Sequence, residues 1–139
     1  MGLAIRLPGP VVVGLPEATL TDRVTVADVP PYKRVGMYAG ELQIDEMLAL
    51  LAKAKRPMIV AGGGGWNAQA VADLKAFSEA FSLPVAASFR CQDLFDNTHA
   101  NYAGDLGLAA GPKLIQHVKD CDLLISIGAR LGEMTTGAY

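Results

Sequence analysis

Three features place this sequence in the α/β class, with a doubly wound parallel sheet. The first is the apolar run Pro57-Met58-Ile59-Val60-Ala61, which passes into four glycines, Gly62 to Gly65, and then Trp66-Asn67. A parallel strand covered on both faces has no polar side, so it reads as a continuous apolar run. The second is a helical period over about Asn67 to Phe81, followed by the strand Leu83-Pro84-Val85-Ala86-Ala87. Together they make a strand–helix–strand unit within about 30 residues, which crosses over right-handed. The third is another apolar strand, Leu123 to Ile127, that leaves through Gly128-Ala129-Arg130-Leu131-Gly132.

Composition narrows the classes further. A chain of 139 residues holds one domain, or one domain and a piece of another, and 51% apolar residues can build a core. A net charge of −2 with no basic block argues against a nucleic-acid partner. No apolar run approaches the roughly 20 residues of a membrane span, and Met1 to Pro10 lacks the apolar region of a secretory signal. Cys91 and Cys121 have no metal-ligand spacing, so a reduced, cytoplasmic setting with free thiols is expected.

In chain order, Gly9 to Pro16 reads as a short strand on its β-branched centre, Val11-Val12-Val13. Glu17 to Gly40 reads as an extended linker, with scattered charge and Pro30-Pro31. Glu41 to Lys55 reads as a helix whose Ile44, Met47, Leu48 and Leu51 share one face, with basic residues at its end and Pro57 as its stop. In the helix after the glycines, Asn67 suits the N-cap, and Val71, Leu74, Phe77 and Phe81 should face the sheet. Phe89 to Gly111 is irregular, with room for one helical turn at Gln92 to Phe95. Pro112 opens a helix with Leu114, Ile115 and Val118 inward. No closing element is expected after Gly132.

In a parallel sheet all carboxyl ends lie along one edge, where ligands bind at the switch point. The loops at Gly62 to Trp66, Ser88 to Arg90 and Gly128 to Arg130 should meet there. They supply bare backbone N–H groups (Gly62, Gly63, Gly64, Gly65, Gly128), the Ser88 hydroxyl and the guanidinium groups of Arg90 and Arg130. That set suits a phosphate or pyrophosphate; a tight strand-to-helix turn needs the same glycines without any ligand. Gly63-x-Gly65-x-x-Ala68 fits a relaxed dinucleotide fingerprint, but Val85 to Ser88 has no ribose-binding carboxylate and no Gly-Lys-Ser/Thr follows the glycines. His117 reads as solvated, and Asp93, Asp96 and Asp105 as turn caps rather than metal ligands. Ser88 and Ser126 lack a nucleophile-elbow context. No catalytic set and no metal site is visible.

Gly9 to Pro16, Lys55-Arg56-Pro57 through Gly65, and Cys121 through Leu131 occur in the order and spacing of a known family. The sequence resembles the middle of a thiamine diphosphate-dependent enzyme of the acetolactate synthase type. The resemblance implies that residues 1–16 hold the last strand of a preceding pyrimidine-binding domain. It makes 17–40 a linker and 41–139 an incomplete Rossmann-like central domain. It also implies a 2-oxo acid carboligase or decarboxylase as parent, with thiamine diphosphate and magnesium held outside this segment. FAD, ADP or nothing would bind at the central domain; where a nucleotide binds, Gly62, Gly63 and Gly64 would approach it and Arg130 its phosphates. Implied partners are the flanking domains and other copies in a homo-oligomer. Gly104-Asp105 is followed by Leu106, so it is not the family's Gly-Asp-Gly cofactor motif, and Asp93 to Asn101 departs from the synthase pattern. The chain is expected to be a fragment. A stand-alone nucleotide-binding module (ADP, FAD or NAD) and a purely structural oligomerisation domain are the alternatives.

Overall fold

The computed structural model describes residues 12–31 and 38–137, which divide between two units, 1–40 and 41–139. In the first unit, Glu17–Leu20 forms a single 3-10 turn, closed by the Thr19 N–H and hydroxyl on the Pro16 carbonyl at 3.0 and 2.7 Å. The other described residues there are irregular and exposed. The strand expected over Gly9 to Pro16 does not form in its described part, 12–16. Val12 and Val13 are exposed, and β-branched propensity makes no strand without a neighbour for the backbone to bond. Gly9 to Val11 lie outside the described residues.

The second unit is built on four parallel strands: β1 (Pro57–Ala61), β2 (Val85–Ser88), β3 (Tyr102–Leu106) and β4 (Leu123–Ile127), in the order β3-β2-β1-β4. Helices α1 (Glu41–Leu51), α2 (Ala68–Phe81) and α3 (Pro112–Asp120) accompany them. Alternation along β1 sends Ile59 and Ala61 to a core shared with Leu51 of α1 and Leu74 of α2. Met58 and Val60 go to a second core with Leu114 of α3 and Leu106. Residues 58–61 are at most 2% exposed, as the unbroken apolar run predicted. The chain winds outward from β1 through β2 to β3, then crosses to β4 on the far side of β1. The winding therefore reverses between β1 and β4, which makes that gap the switch point.

Local chemistry fixes the element ends. Asn67 Oδ1 accepts from the Ala70 N–H at 2.8 Å and caps α2, a contact worth about 1 kcal/mol. Pro112 occupies the first turn of α3, where a missing N–H costs nothing. The first helix is shorter than expected and stops at Leu51. Its last carbonyls are taken by tight turns from Lys53 and Ala54, and the Lys55 and Arg56 N–H groups are diverted to the Asp122 carboxylate, both at 2.8 Å. The late basic residues therefore fall outside the helix.

Other expectations need correction. Only Leu51 of the α1 apolar face is buried; Ile44 and Leu48 are exposed, because no element among the described residues covers that stripe. Phe81, the last residue of α2, is half exposed and its ring lies tilted against Phe77, centroids 5.1 Å apart, instead of facing the sheet. Ile115 is exposed while Leu114 takes the inward position. The stretch expected to be irregular contains β3, since a glycine at φ +123° and an aspartate disguise it. Its one helical turn is present as a 3-10 turn at Gln92–Leu94. A short helix, α4 (Glu133–Thr136), follows β4.

Candidate functional site at the carboxyl edge of the sheet

Parallel order brings the ends of β1, β2 and β4 to one edge, and the glycines knit them together. The Gly62 N–H donates to the Ile127 carbonyl at 3.0 Å, and Ala61 bridges to Gly128. A side chain at Gly62 would run into Ser88 Oγ on β2; one at Gly63 would run into the Gly128 carbonyl oxygen. Gly63, Gly65 and Gly128 also have φ of +73°, +89° and +68°, where any other residue is strained by about 1–2 kcal/mol. The bare turn is therefore needed for the chain's own geometry at Gly62, Gly63, Gly65 and Gly128. Gly64 differs: a Cβ there would meet nothing within 4 Å, and its φ is not in the left-handed region.

Donors remain open at this edge. The N–H groups of Gly63, Gly64 and Gly65 find no acceptor among the described residues. Beside them Ser88 is only 6% exposed, and its hydroxyl has no hydrogen-bond partner among the described residues. Trp66 closes the floor: its indole Nε1–H donates to the Gly62 carbonyl at 2.8 Å, and Nε1 lies 3.3 Å from where a Gly128 side chain would begin. Sequence reasoning did not single out Trp66, although an aromatic directly after a glycine run is a visible signal. Ser126 Oγ donates to the Ala129 carbonyl at 2.9 Å and shapes the β4 exit.

The two arginines stand apart from this cluster. Arg90 has φ +62° in a turn closed by the Cys91 N–H on the Ser88 carbonyl, and its guanidinium lies over the Phe89 ring, 5.0 Å from the centroid. Arg130 is exposed, with no side-chain partner among the described residues. Gly62, Gly63, Ser88 and Gly128 thus come together, Gly64 and Gly65 open beside them, and both guanidinium groups stay on the exposed exits.

Asp105 puts a carboxylate near the end of β3, and its Oδ1 is buried without a partner among the described residues, a cost of about 1–3 kcal/mol. Burial, and then the Asp105 charge, push the Tyr102 phenol above its usual range. Asp96 caps a turn as expected, and its hydrogen bonds from the Thr98 hydroxyl and N–H hold its pKa below the usual carboxylate range. His99 contacts Glu79 at 3.0 Å, while His117 is exposed. Among the described residues no three His, Cys, Asp or Glu side chains gather as a metal site.

Comparison with known proteins decides the family. Residues 44–139 match the family described as thiamine pyrophosphate enzyme, central domain. The chain belongs to that family. It is 31% identical over 136 residues to the acetolactate synthase large subunit of Parasynechococcus marenigrum, covering 94% of this chain and 22% of that protein. The corresponding subunit of Corynebacterium glutamicum is 30% identical over 135 residues, 94% of this chain and 21% of that protein. The sulfoacetaldehyde acetyltransferase of Castellaniella defragrans is 34% identical over 97 residues, 70% of this chain and 16% of that protein. The chain thus spans about a fifth of the length of the relatives it matches along most of its own. The fold agrees with a Rossmann-like central domain of this family: α/β, with a parallel sheet in the order β3-β2-β1-β4. No helix among the described residues is long and apolar enough to cross a membrane.

Proposed function

We propose that this chain is the scaffold between the cofactor-holding domains of a thiamine diphosphate-dependent 2-oxo acid carboligase or decarboxylase, and that its carboxyl edge takes the diphosphate of a nucleotide, ADP or the ADP half of FAD. The observation that carries the nucleotide reading is Gly64. Every other glycine of the turn is explained by the chain's own contacts or φ, whereas Gly64 is open, exposed and unconstrained. A residue without a side chain, next to unpartnered N–H groups and a buried hydroxyl, suits close approach of an anion to backbone. In this reading the Gly63 to Gly65 N–H groups and Ser88 bind the diphosphate, and Arg90 and Arg130 swing in from the exits to neutralise it.

Thiamine diphosphate, where a relative binds it, supplies carbanion stabilisation. Among the described residues no three His, Cys, Asp or Glu side chains gather beside one another; in this reading the chain's part in the reaction is to hold the neighbouring domains and subunits in register. In this reading residues 17–40 serve as the linker from the preceding domain.

Trp66 is the only tryptophan and lies on the floor of the site, so its fluorescence reads occupancy. ADP is expected to change that emission saturably, and Gly64→Ala to weaken binding about 10-fold with folding stability intact. No change with ADP or FAD, in fluorescence or calorimetry, would leave a purely structural turn. Thiamine diphosphate with magnesium is expected to leave the melting temperature unchanged; a rise of several degrees would overturn the assignment of that cofactor to other domains.

A further inference from the structure

The opposite, amino edge of the sheet holds a cleft of about 550 Å³, within the size range of small-molecule sites. The end of α1, the end of α2 and the end of α3 surround it. Met58, Leu51, Pro84 and the half-exposed Phe81 give it an apolar lining. Lys55, Arg56 and His117 stand on its wall together with Asp120.

The cations there have no direct contact with a carboxylate among the described residues. Neither Lys55 Nζ nor the terminal nitrogens of Arg56 has a hydrogen-bond or ion-pair partner among the described residues; Arg56 is held only through Nε, which donates to the Asp120 carbonyl at 2.6 Å. The one carboxylate on the wall, Asp120, already accepts from Gln116 Nε2 at 2.9 Å. The Asp122 carboxylate nearby is occupied by the Lys55 and Arg56 N–H groups. Three helix ends would normally add negative potential. Here their carbonyls are largely consumed: Leu50 and Leu51 by Ala54, Ser78 by Leu83, His117 and Val118 by Cys121, Asp120 by Arg56. The Cys121 thiol is kept neutral, its pKa raised by burial and then by the Asp122 charge. Two cations without a direct side-chain partner among the described residues remain over an apolar floor, with the Asp120 and Asp122 charges beside them.

The geometry points to a second ligand site at this edge, for a small amphiphilic monoanion: an aryl or branched alkyl carboxylate whose apolar body lies on Phe81, Met58 and Pro84 and whose carboxylate meets Lys55 and Arg56. The site is independent of the glycine edge.

The test is a nitrogen-15 NMR titration of the 139-residue chain with phenylacetate, with phenylacetamide as the uncharged control. Phenylacetate is expected to shift the amides of Lys55, Phe81, Ser82 and His117 saturably in the millimolar range, and to leave the Trp66 indole N–H unmoved. Phenylacetamide and the variant Lys55→Gln should each weaken binding about 5-fold, the size of one exposed ion pair. Lys55 uses only its backbone N–H in the fold, and Phe81 is half exposed, so Lys55→Gln and Phe81→Ala both keep the chain folded. Phe81→Ala should weaken phenylacetate as well. Unsaturable shifts, equal affinity for the amide, or shifts centred on Trp66 would each overturn the site.

Discussion

The two ends of one sheet are finished with different materials. At the carboxyl edge the strands are tied by main chain against main chain, Gly62 to Ile127 and Gly63 against Gly128, and several N–H groups are left without acceptors. At the amino edge a side chain does the tying. Asp122, just before β4, accepts both the Lys55 and Arg56 N–H groups at 2.8 Å, and its own N–H donates to the Arg56 carbonyl at 3.2 Å. Closing an edge with a carboxylate consumes its backbone donors and leaves surface cations free. Closing it with glycine leaves the donors themselves available. The same parallel sheet can thus offer bare amides at one end and guanidinium and ammonium groups at the other.

Substitutions at each end would break this contrast to different degrees. The largest effect belongs to Gly63→Ala, which combines a left-handed φ with a clash against a carbonyl oxygen that cannot move aside. It should lower unfolding stability in urea by at least about 2 kcal/mol. Asn67→Ala removes the cap of α2 and should cost about 1 kcal/mol in the same measurement.

The amino edge should respond to acid instead. Hydrogen bonds from Lys55 and then Arg56 hold Asp122 below the usual carboxylate range. Its contribution is therefore fully present above the unfolded pKa, near 4, and is lost as pH falls through the lower folded value. Urea midpoints followed from pH 6 down to pH 2 should show this loss, and Asp122→Asn should start lower at pH 6 and fall less steeply. If the variant's acid limb matches the wild type, Asp122 is not the group that ties this edge. The smallest effect is Gly64→Ala, within about 0.5 kcal/mol of wild type. That near-neutrality is what makes it a clean probe of ligand approach.

How far the sequence could be read depended on what each element has to satisfy. β1 was legible because burial on both faces leaves a strand no freedom to be polar; β4, part-exposed at the sheet edge, was legible from its own apolar run, and Leu123 to Ile127 matched to the residue. Asn67 was legible because capping is local chemistry. β3 was not: Gly104 and Asp105 are poor strand residues, held there by pairing with Ala86 and Ala87, a partnership invisible to local propensity. The α1 face misled because helical period says which residues share a side, not whether anything covers it. At the candidate site, the meeting of Gly62, Ser88 and Gly128 followed from parallel order. The distinct standing of Gly64 among four neighbours did not, because only coordinates separate a glycine demanded by sterics from one that is free.

A seat made of peptide amides has no acid–base chemistry of its own between pH 5 and 9, and arginine stays protonated throughout that range. Any change in ADP affinity across those conditions would originate in the ligand's terminal phosphate, whose second ionisation lies near pH 6. The protein would act there as a fixed electrode, sensing the visitor's charge without altering its own.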